Sequence, residues 1–77
     1  MPALNFQERF ECELDEAERK AWDSLSRYKF AMFGYWAGVW VHLNRISGAG
    51  RPNPWKNLVH QAREHKEVLS MYERVDR

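Results

Sequence analysis

Apolar residues recur at helical spacing along most of this 77-residue chain, and no other feature narrows the possible folds as much. Phe6, Phe10, Leu14, Ala17, Ala21, Leu25 and Tyr28 step by 4, 4, 3, 4, 4 and 3 positions, which keeps one stripe on one side of an α-helix. The stripe repeats every 11 residues, or about 3.67 per turn, so the helix is expected to run straight or coil slightly right-handed. Met32, Tyr35, Trp36, Val39, Leu43 and Ile46 continue it, while Phe30, Phe33, Ala37, Trp40 and Val41 spread apolar surface around most of the remaining circumference. That segment needs cover on more than one side.

Asp15, with Glu18 three residues later, has the form of a helix-starting capping box and would leave residues 4–14 as a separate short helix. The stripe keeps its phase across Asp15, so the spacing favours one long helix over about residues 5–46, with a break near 15 as the alternative. Ser47-Gly48-Ala49-Gly50-Arg51-Pro52-Asn53-Pro54 is the clear interruption: glycine suits a helix C-cap, and proline cannot continue a helix interior. Asn53 is placed to cap a second helix with Pro54 in its first position. Leu58, Ala62, His65, Leu69 and Tyr72 then share one face with Trp55 beside it, predicting a helix over about residues 54–75.

The expected architecture is therefore all-α: a single helical domain spanning 1–77, a hairpin of one long and one shorter helix, assembled into an oligomeric bundle. At 1.5 Å per residue the final helix is about 33 Å long and would cover the aromatic segment, leaving about 30 Å of the first helix without an intrachain neighbour. Phe6, Phe10 and Leu14 are accordingly expected at an oligomer interface, together with Gly34 and Gly38, which form a strip of small residues with Ala31. A homo-oligomer also answers a problem of size, because a chain this short buries only about 60 % of its unfolded surface. Cys12 is the only cysteine and no metal-ligand spacing is evident, so disulfides and structural metal do not supply the missing stability.

Charge and hydropathy narrow the functional classes. Twelve basic residues against 11 acidic ones give a net charge of +1, which makes a nucleic-acid partner the less favoured reading. The longest apolar run, Phe30 to Val41, has 12 residues, short of the roughly 20 that span a membrane. The first residues are acidic and amphipathic where a secretory leader is basic and then apolar, so a cytoplasmic protein is expected.

No nucleophile, base and orienting group stand out together, and the Gly48-Ala49-Gly50 turn lacks the pattern of a phosphate-binding loop. The expectation is a protein that is not an enzyme and takes no cofactor or metal. Glu8, Glu11, Glu13, Asp15, Glu16 and Glu18 mostly fall on the solvated side of an amphipathic helix. Cys12 lies between Glu11 and Glu13, which disfavours a reactive thiolate. One constellation suits a ligand. Arg51, Asn53, Trp55 and Lys56, with Arg45, combine a helix start, cationic groups and a flat indole, the chemistry of an anionic or nucleotide-like ligand. Tyr28 and Lys29 would join them across an antiparallel dimer. The competing interpretation is a capped hairpin in which Trp55 seals the core and the cations are solvated.

The stretch from Ala21 to Arg63, with SRYKFAMFGYWAGVWVHLNRI followed by RPNPWKNLVHQAR, resembles small helical proteins encoded by phages and prophages. The resemblance implies a compact accessory protein expressed in the host cytoplasm during infection, in a group rich in anti-defence inhibitors and sequestering proteins. It brings no functional residues with it. The function expected is stoichiometric binding, either sequestering a nucleotide-like ligand or inhibiting a host defence protein. The alternatives are a nucleic-acid accessory protein and a purely structural interaction module.

Overall fold

The computed structural model describes residues 5–75, with side chains as far as Tyr72. Three helices follow one another: α1 (Phe6–Ser26), α2 (Phe30–Ser47) and α3 (Lys56–Val75). The all-helical expectation holds, but the single long helix does not.

Helix α1 begins at a reciprocal cap. The Asn5 side-chain oxygen accepts from the Glu8 backbone N–H at 2.8 Å, and the Asn5 amide donates to the Glu8 carboxylate at 3.3 Å, satisfying a donor that a helix start otherwise leaves unpaired. The helix passes through Asp15 without a break, as the unshifted phase of the stripe favours. The interruption comes instead at residues 27–29. Tyr28 adopts a left-handed backbone with φ 61°. The Tyr28 N–H donates to the Leu25 carbonyl at 3.1 Å and the Lys29 N–H to the Ser24 carbonyl at 2.9 Å. This pair of bonds is a Schellman ending, usually built on glycine.

The reason for the break lies in packing rather than in local sequence. A continuous helix would leave its apolar stripe bare; reversing at Tyr28 lets the two halves cover each other. Ala17, Ala21 and Ser24 offer small side chains on α1, and Trp40 of α2 is buried with them and Leu14. The Lys20 ammonium also sits 4.3 Å from the centre of the Trp36 ring, a cation–π contact across the hairpin. The hairpin therefore joins α1 to α2, not the long helix to the last one.

Two expectations change as a result. Leu14, assigned to an oligomer interface, is fully buried within the chain; Phe10 is half-buried and only Phe6 remains open, at 82 % exposure. Helix α3, expected to cover the aromatic segment, projects from the hairpin, and every residue from Val59 to Tyr72 except Ser70 is exposed. The molecule measures 66 × 26 × 15 Å. No helix of the described residues is long and apolar enough to cross a membrane.

Candidate functional site: an apolar cleft between α2 and α3

The segment between α2 and α3 is fixed at both ends, and this sets where α3 departs. Gly48 caps α2 with φ 69°, and Gly50 follows with φ 64°. These left-handed positions cost a glycine nothing. Asn44 then holds the returning strand of chain by both ends of its amide: Oδ1 accepts from the Arg51 backbone N–H at 2.9 Å, and Nδ2 donates to the Arg51 carbonyl at 3.0 Å. The Arg51 guanidinium reaches across to Asp15 at 2.7 Å. Asn53 Oδ1 accepts from the Trp55 N–H at 2.7 Å, and the Trp55 carbonyl starts α3 by accepting from Val59 N–H at 3.1 Å. The helix thus begins at Lys56, two residues after the expected start, with Asn53 shaping the approach rather than capping directly.

Trp55 is the anchor. It is 4 % exposed and meets Phe33 and Trp40 edge-on at centroid distances of 5.7 and 5.6 Å, and Trp22 at 6.0 Å. The indole N–H groups of Trp40 and Trp55 are both buried with no hydrogen-bond acceptor. Such groups weaken a core, so the burial of the two rings has to outweigh their desolvation.

Because Trp55 pins the start of α3 and the rest diverges, a cleft of about 490 Å³ opens beside it. Phe33, Ala37, Gly38, Val41, His42 and Arg45 form the α2 wall; Leu58, Val59 and Ala62 form the α3 wall; Asn53 and Trp55 come from the connection. Its volume falls within the range of binding pockets, about 300–1,000 Å³. Apart from the backbone of α2 itself, nothing among the described residues lies within 4 Å of where a Cβ would stand on Gly34 or Gly38, so these two positions of the small-residue strip face open space. Its only ionisable lining groups are His42 and Arg45. Among the described residues, ion pairs lie elsewhere: three run along α1, from Arg19 and Lys20 to Glu16 and from Arg27 to Asp23, and the fourth joins Arg51 to Asp15. The Arg19 guanidinium holds the Glu16 carboxyl below its ordinary range.

The proposed ligand residues are dispersed. Arg45, Asn53 and Trp55 share the cleft. Arg51 is engaged with Asn44 and Asp15, and Lys56 is exposed at the start of α3. Tyr28 and Lys29 form the α1–α2 turn, where the Tyr28 ring packs edge-on against Phe30; no hydrogen bond or ion pair links the two side chains to the other five. Two contributors were not singled out by the sequence patterns. Asn44 lies on the same helical face as Trp40 and Ala37, and a polar residue there was the available signal. His42 carried none. No protein-family model matches the chain, and no curated protein or solved structure shows significant similarity to it.

Proposed function

We propose that this protein is a non-enzymatic, self-associating helical module, an accessory protein of phage type that acts by stoichiometric capture of a protein through apolar helix faces. The observation that carries the reading is the apolar surface left bare at the cleft and along the two helices that wall it. Val41 and Val59 line the cleft, and with Phe30 on α2 and Leu69 and Tyr72 on α3 they are exposed in the single chain. Large apolar surface left open in this way marks association sites in soluble proteins.

The nucleotide-sequestering form of the reading has less support. Trp55 has almost no free surface on which a base could stack, and Arg51 already has a carboxylate partner. One observation favours a small anionic ligand: His42 and Arg45 stand in the cleft with no carboxylate among its lining residues. Native mass spectrometry of protein purified gently from expressing cells, followed by calorimetric titration with mono-, di- and cyclic nucleotides, separates the two. Capture of a protein predicts a polypeptide retained in whole-number ratio and no heat from nucleotides. A retained nucleotide whose binding disappears in Arg45→Ala would overturn protein capture in favour of the ligand.

A further inference from the structure

We infer that the cleft is closed by a second copy of this chain, in a two-fold dimer in which α3 of each copy lies in the partner's cleft against α2. This rests on the reading of the protein as a self-associating module and specifies the surfaces involved; they are the faces that carry the capture reading, so a captured protein takes the place of the second copy.

Length is the first argument. The cleft side of α2 from Phe30 to Arg45 is about 22 Å long and the apolar run of α3 from Leu58 to Tyr72 about 21 Å, so one can lie along the other. Shape is the second. Open space at Gly34 and Gly38 lets a helix approach α2 closely, while exposed Leu69 and Tyr72 on one side of α3 and Val68 and Met71 on the next require cover on two sides. A seat between the partner's α2 and the partner's α3 provides both.

Area agrees with a second copy as the occupant. The chain exposes 6617 Å². A compact protein of its mass exposes about 5,000 Å², so the surplus exceeds the roughly 800 Å² per partner of a standard interface. A two-fold operation covers α2 and α3 of both copies at once and closes the assembly, leaving no head-to-tail surface to polymerise.

The test is complementation between two variants, each damaging one half of the contact and neither touching the hairpin core. Gly38→Leu fills the α2 surface, where the single chain has open space, and Leu69→Asp charges an exposed site on α3. Sedimentation should show a wild-type dimer at micromolar concentration, with each variant weakened about tenfold or more and retaining the circular dichroism of a folded hairpin. Mixed one to one, the variants should recover dimers, because both lesions fall in one contact, where the second adds little to a contact already broken, and the other contact is made of wild-type α2 and wild-type α3. A wild-type monomer, variants that dimerise as well as wild type, or a mixture no tighter than its components would overturn the proposal. A monomer that still retains a captured polypeptide removes the self-docking alone and leaves the binding reading standing.

Discussion

Tyr28 holds a backbone conformation that costs a residue with a side chain about 1–2 kcal/mol, and it does so at 82 % exposure with no buried contact to offset the cost. Tyr28→Gly should therefore raise stability by about 1 kcal/mol in urea denaturation, whereas in a continuous helix the same change would lower it. Trp55 presents the opposite case. Trp55→Ala removes the ring that joins Trp22, Phe33 and Trp40, and should cost about 3–5 kcal/mol. Trp55→Phe should cost much less, because it keeps an aromatic ring and removes a buried N–H that has no acceptor. A similar loss in both variants, measured by denaturation, would show that the indole N–H is satisfied.

Among the elements, the connection between α2 and α3 is held by Asn44 more than by the charge of Arg51. Asn44→Ala leaves two backbone groups of Arg51 unpaired in a partly buried site and should cost about 2 kcal/mol. Arg51→Ala keeps those bonds and loses a solvent-facing ion pair, worth at most about 1 kcal/mol. Comparing their melting curves decides which side chain fixes the connection. Glu16 gives α1 a pH dependence. Its folded carboxyl is held below its unfolded value by Arg19, so the support is present above the unfolded pKa and fades as pH falls through the folded one. Melting temperatures of wild type and Glu16→Gln should differ at neutral pH and converge in acid. The glycine and proline punctuation around Gly48 to Pro54 made the end of α2 and the start of α3 legible to within two residues. The turn at Tyr28 was not legible, because no glycine or proline marks it and the stripe runs through it in phase; only the pairing of Ala17 and Ala21 with Trp40 explains the reversal. That hidden turn also misplaced Leu14, which would be bare on a long helix and is covered in a short hairpin.

At the scale of the whole molecule, a compact chain of this length has a radius of gyration of about 11–12 Å, and this one has 17.0 Å. The excess comes from a helix that leaves the hairpin carrying its apolar residues into solvent. The cleft residues Arg45, Asn53 and Trp55 were readable as a cluster because they flank the obvious loop; its α2 wall was not, since it depends on where α3 fails to pack. A helix of 20 residues without tertiary cover is marginal in water, so the stability of α3 reports directly on whether something covers it. Amide hydrogen exchange measured across a dilution series is the most direct test. Amides of α1 and α2 near Leu14, Ala21 and Trp40 should stay protected at every concentration, while those from Ala62 to Met71 should be protected at high concentration and exchange rapidly when the protein is diluted. Protection of the α3 amides that is strong and independent of concentration would contradict this, because α3 would then be covered within the single chain.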